Sequence, residues 1–92
     1  IEHGAFEGCI NLKDVTLKRA TLIKMKAFKN CKKLGKIEAD KVKSVSALAF
    51  EGCENLRNIK FEEGCKFDST AFKDSPLEGN KLNEVQLPKV II

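Results

Sequence analysis

The chain has no tryptophan, no tyrosine and a single histidine among its 92 residues. One imidazole cannot build a multi-histidine metal centre, and no Cys-x-x-Cys pair stands in for it. Glycine-rich phosphate loops, paired-carboxylate motifs and nucleophile elbows are all missing. No uncharged apolar run approaches the roughly 20 residues that cross a bilayer. A leader pattern is missing too, and the opening on Ile1 reads as a mature or excised piece. The expectation is a protein that is no enzyme, spans no membrane and holds no metal or cofactor.

What is present describes a folded domain. Apolar residues make up 42% and charged residues 33%, a balance that separates the chain from disordered tails. Ninety-two residues allow one small domain, which buries only about 60% of its unfolded surface. The net charge of +4 is unevenly spread. Residues 18–43 carry ten lysines and arginines against Glu38 and Asp40, and the remainder is net acidic. Such asymmetry can mark a polyanion-binding patch.

Self-similarity organises the rest. Ala-Phe recurs at Ala5-Phe6, Ala27-Phe28, Ala49-Phe50 and Ala71-Phe72, always 22 residues apart. The same interval relates Cys9, Cys31, Cys53 and Ser75, then Leu12, Leu34 and Leu56, then Val15, Ile37 and Ile59. Ile1, Ile23, Val45 and Phe67 form one more column. In the fourth unit the pattern returns as Leu82, Val85 and Leu87, displaced by an insertion within 75–81. The units are 1–22, 23–44, 45–66 and 67–92, one domain in four repeats. That period lies in the 20–29 residue band of leucine-rich repeats.

Each unit alternates like a strand, with Val15 and Leu17 on one face and Asp14 and Thr16 on the other. No unit can enclose its own apolar residues, so stacked neighbours must close one core. A second extended stretch begins at Ile23, Val45 and Phe67. Ala-Phe-x-x-Cys reads as a short helical turn with Phe plugging the coil and Ala at a close backbone approach.

AFEGCINLKDVTL, AFKNCKKLGKIEA and AFEGCENLRNIKF, with AFKDSPLEGNKLNEVQLP as a diverged copy, resemble the BspA-like class of leucine-rich repeat. The resemblance spans the whole chain. It implies a right-handed solenoid with a parallel concave sheet and a convex side of short strands and turns. It also implies a segment of a cell-surface or secreted protein, in a family with several adhesive members. The units are one residue shorter than the family's commonest length. Pro88 follows the last strand as the family prefers, where Lys18, Asp40 and Glu62 stand in earlier units.

The first unit starts in regular phase, and Val90-Ile91-Ile92 lacks obvious cover, so a slice of a longer array is expected. Both apolar ends then favour end-to-end self-association. Cys9, Cys31 and Cys53 are expected as a column of buried, reduced thiols, since stacked parallel side chains do not suit the disulfide dihedral. Cys65 lies outside that column and is expected at the surface, with no assigned role. His3 near Cys9 is not expected to activate a nucleophile, because Cys9 belongs to the core column.

Two surfaces compete as binding sites. Outward residues of the concave sheet are Asp14, Thr16, Lys18, Lys36, Glu38, Asp40, Asn58, Lys60 and Glu62, followed by Glu84 and Gln86. They lack the aromatic anchors that dominate protein hot spots. Affinity would then come from many weak contacts along a longer array, or the segment is mainly a spacer. Lys29, Lys32 and Lys33 form the tightest basic cluster, on the turn, and could serve a polyanion. Opposite charges one unit apart are expected to pair: Asp14 with Lys36, Glu38 with Lys60, Lys18 with Asp40, and the column Glu7, Lys29, Glu51, Lys73. The leading expectation is a protein-binding, adhesion or spacer module whose ligand is a protein such as a host or matrix component. A polyanion-binding module and an intracellular scaffold are the alternatives; reduced thiols would suit the latter.

Overall fold

The 22-residue spacing becomes a spatial register. The computed structural model describes residues 1–78, and each strand within them pairs with the one a repeat away. Strands β1 (Asp14–Thr16), β3 (Lys36–Ala39) and β5 (Asn58–Phe61) form one parallel sheet in that order. The two-residue strands β2 (Leu22–Ile23), β4 (Ser44–Val45) and β6 (Lys66–Phe67) form a second parallel sheet. Asp14, Lys36 and Asn58 align across the first sheet, as do Thr16, Glu38 and Lys60. This is a β-rich repeat solenoid. The fourth-unit pattern at Leu82, Val85 and Leu87, with Glu84, Gln86, Pro88 and the Val90–Ile92 end, lies outside the described residues.

The core lies between the sheets and is built from the repeat columns. Ile37, Ala39, Ile59 and Phe61 point inward from the first sheet and are buried. Ile23 and Val45 close the second. Phe28 and Phe50 are fully buried and stack in a column with Phe6 and Phe72, successive ring centroids 5.2 Å apart. Ala27, Ala49 and Ala71 are fully buried beside them. Exposure falls along the column from 38% at Phe6, which stacks on Phe28 alone, to none at Phe28, which lies between Phe6 and Phe50.

The Ala-Phe-x-x-Cys segments are not helical. Among the described residues no helix forms, so none is long and apolar enough to cross a membrane. These segments are instead chained β-turns. In the second rung Ala27 N–H donates to Lys24 C=O, Lys29 N–H to Lys26 C=O and Cys31 N–H to Phe28 C=O. The intervening N–H groups turn outward: Phe28 donates to Ala49 C=O and Asn30 to Glu51 C=O in the next rung. A helix would keep all of them within the segment. Lys26 and Asn30, each third in its turn, have positive φ, the mark of a type II turn and impossible for a right-handed helix. Gly8, Asn30, Gly52 and Asp74 share this left-handed position at the repeat interval.

At Gly52 conformation and space act together. Its φ is +74°, and an added Cβ would overlap the Asn30 side-chain oxygen of the preceding rung. Gly64 has φ +84° but open space around it. Gly52→Ala is therefore expected to destabilise the chain by about 2 kcal/mol or more, and Gly64→Ala by about 1 kcal/mol. Urea denaturation followed by circular dichroism measures both, and equal losses would remove the Asn30 contact as a cause.

Candidate functional site

The outward face of the first sheet follows from strand alternation. Asp14, Thr16, Lys36, Asn58 and Lys60 are exposed and Glu38 is half-buried, while their neighbours Val15, Ile37 and Ile59 face the core. Lys18 and Asp40, just past the strands, are exposed, and Glu62 is half-buried. The structure thus gathers these residues along one sheet and its exit loops. Neighbouring rungs hold them about 4.8 Å apart.

Charges link these rungs selectively. Lys60 Nζ lies 3.5 Å from Glu38 Oε2 and 3.9 Å from Asp40 Oδ1, so one ammonium bridges two carboxylates of the preceding rung. Lys43 Nζ reaches Glu62 Oε2 at 3.7 Å. Among the described residues the expected pairs Asp14–Lys36 and Lys18–Asp40 form no ion pair. Lysine is long enough to reach diagonally, and Asp40 engages Lys60 instead of Lys18.

A groove of about 340 Å³ opens where β1 and β3 end, lined by Thr16, Leu17, Lys18, Glu38, Asp40 and Lys41. Four of the six belong to the outward set read from the sequence. Leu17 and Lys41 are additions. For Leu17 the signal was present, because Leu17, Ala39 and Phe61 form a repeat column; Lys41 stands two residues past the end of β3.

On the turn side the basic cluster is largely committed. Lys29 Nζ lies 3.4 Å from Glu51 Oε1, with side chains 25% and 18% exposed. That carboxylate oxygen is buried and makes no hydrogen bond, so the Lys29 ammonium is its compensating charge. Lys32 Nζ is 3.2 Å from Glu54 Oε2. Lys33 is exposed, without an ion-pair partner among the described residues. Lys24 Nζ pairs with Glu2 Oε1 at 3.1 Å. The Glu7–Lys29–Glu51–Lys73 column therefore closes at its middle step only. Such cross-rung pairs contribute about 0.2–1 kcal/mol each.

The thiols fill structural positions with one exception. Cys31 Sγ donates to Phe6 C=O at 3.2 Å and Cys53 Sγ to Phe28 C=O at 3.1 Å, each reaching the preceding rung. Burial pushes the Cys31 thiol up, and that of Cys53 up to about 12. Ser75 holds the same repeat position, but its hydroxyl donates within its own rung, to Phe72 C=O at 2.7 Å. Cys9 departs from the expected column of buried thiols: it is exposed, and the bonds to a carbonyl one rung back that Cys31 and Cys53 make are not formed by its thiol. Cys65, expected at the surface, is half-buried and packs against the core. His3 is exposed and makes no hydrogen bond to Cys9. Among the described residues, no group of three or more His, Cys, Asp or Glu could hold a metal ion.

The model of the BspA-type leucine-rich repeat region matches residues 1–91 in six copies, where the sequence reads as four units. No curated protein and no solved structure matches the chain.

Proposed function

Because the chain belongs to the BspA-type leucine-rich repeat family, we propose that it is a non-enzymatic module binding protein through the outward face of its first sheet. The proposal includes an adhesive or spacer role at a cell surface or in a secreted protein, with a host or matrix protein as ligand. One observation carries the reading: the columns Asp14–Lys36–Asn58 and Thr16–Glu38–Lys60 stand in strict register on one face. A ladder of alternating charges and small polar groups suits extended contact, each rung contributing little and the array contributing the affinity. The polyanion alternative has less support, because Glu51 and Glu54 already occupy Lys29 and Lys32. Apolar surface at Phe6 and Ile10 in the first unit and at Met25 in the second, 38–55% exposed, supports self-association.

The test is binding of the chain, and of longer arrays containing it, to immobilised extracellular-matrix proteins. Lys36→Glu with Lys60→Glu is expected to weaken binding about fivefold or more, since attraction becomes repulsion at two contacts. Affinity should rise with repeat number. Binding that survives this reversal, collapses when Lys29, Lys32 and Lys33 are neutralised and falls steeply with salt would establish a polyanion module instead.

A further inference from the structure

Among the described residues, the ion-pair pattern leaves uncommitted charge beside a concavity. Each of the described lysine–carboxylate pairs joins neighbouring rungs, and together they engage Glu2, Glu38, Asp40, Glu51, Glu54 and Glu62. Lys18 and Lys41 line the groove at the ends of β1 and β3, exposed and without an ion-pair partner among the described residues. The two acids lining the same groove, Glu38 and Asp40, are engaged from the far side by Lys60. Counted with Lys60, three ammonium groups face two carboxylates there, and the surplus positive charge is on the groove side, at Lys18 and Lys41. Half-buried Leu17 gives it an apolar element, and the lysine stems add methylene surface around it.

Resting on the protein-binding reading, we infer that this groove is the subsite that selects the partner, and that it takes an acidic, partly aliphatic peptide segment. Carboxylates of the segment meet Lys18 and Lys41, and an aliphatic side chain lies against Leu17. The groove opens beside the Thr16–Glu38–Lys60 column, so a chain crossing the sheet face reaches it without leaving the protein surface. A dense polyanion fits worse. It requires a continuous cationic stripe, and Glu38 and Asp40 interrupt this one.

The probe is a fluorescently labelled peptide of alternating glutamate and leucine, with an alternating lysine–leucine peptide and heparin as comparisons. Fluorescence anisotropy is measured on the parent chain and three double variants. Lys18→Glu with Lys41→Glu is expected to weaken the glutamate–leucine peptide about tenfold or more, and Lys32→Glu with Lys33→Glu by less than about twofold. Lys18 and Lys41 are exposed and form no ion pair among the described residues, so that variant's circular dichroism melt should match the parent. The Lys32/Lys33 variant loses the Lys32–Glu54 pair and should melt slightly below it, and a variant that fails to melt cooperatively is replaced by the Lys→Gln pair. Unchanged affinity in the Lys18/Lys41 variant overturns the inference. So does tight heparin binding that depends on Lys32 and Lys33 while the acidic peptide does not bind. Peptide binding lost only on reversing Lys36 and Lys60 also overturns it, yet leaves the sheet-face reading intact. Loss of matrix-protein binding in the Lys36/Lys60 variant judges that broader reading separately.

Discussion

Phe50→Ala is expected to lower stability by about 3–5 kcal/mol, and Phe6→Ala by less than about half as much. The ring of Phe50 lies between those of Phe28 and Phe72, nearly parallel to both, and a tilted Phe61 packs against it. Removing it empties a position bounded by three rings, inside a core that closes only because rungs stack. In a solenoid, stability is the sum of unit and nearest-neighbour terms, so an interior ring counts at two interfaces and an end ring at one. Phe6 stacks on Phe28 alone and is already 38% exposed. A loss of this size is a large part of the about 5–15 kcal/mol that holds small domains folded. With no tryptophan or tyrosine for fluorescence, unfolding is followed by far-ultraviolet circular dichroism in urea. Similar midpoint shifts for Phe6→Ala and Phe50→Ala would refute the stacked-plug account.

Columns were legible because a repeat converts sequence spacing into spatial contact. Val15, Ile37 and Ile59 align in register, and Phe28 and Phe50 are buried, because each unit repeats the same alternation. The turn was misread for a physical reason. Hydrogen bonds from residue i+3 back to residue i are common to β-turns and tight helices, so spacing alone does not separate them. The discriminating signal was the column Gly8, Asn30, Gly52 and Asp74, residue types that tolerate the left-handed region a helix excludes. Val42 was also missed. It is fully buried where Ala20 precedes it and Gly64 follows it, so its column carries no constant apolar residue.

The candidate site was legible as a face but not as a shape. Period-two alternation identified the outward residues, and sign alternation anticipated Glu38–Lys60 and Lys29–Glu51. Pairings governed by side-chain reach were not, which is why Asp40 meets Lys60 diagonally. A groove between two exit loops depends on backbone paths that no column encodes. Its two lysines gain significance only once the partners of the other lysines are known. Cys9 illustrates the same limit from the other side, since equal column membership goes with unequal burial: Cys9 is exposed where Cys31 and Cys53 are buried.

Native-state thiol labelling is expected to separate Cys9 from Cys31 and Cys53 by orders of magnitude in rate. The thiolate is the reactive form, and burial disfavours it. Cys53, with its thiol pushed up to about 12 from an ordinary 9.0, carries about a thousandfold less thiolate near neutral pH, before any shielding by its surroundings. Desolvation is the main cause, and the neighbouring Cys31 thiol adds to it through charge, while a backbone hydrogen bond from Cys31 opposes it. Cys31 shifts in the same direction, also chiefly by desolvation. Both Sγ atoms donate to carbonyls of the preceding rung, bonds lost on ionisation. The raised folded-state value sets the sign of the pH effect. Stabilisation from the protonated thiol is complete below pH 9 and declines as pH rises toward about 12. Thermal melts should therefore weaken across that alkaline window, and Cys53→Ala, less stable at neutral pH, should lose part of the alkaline slope. Labelling with a chromogenic disulfide at pH 8 should modify Cys9 at once and Cys53 only on unfolding. Rapid native-state labelling of Cys53, or a Cys31–Cys53 crosslinked peptide in the digest, would overturn the buried-thiol ladder.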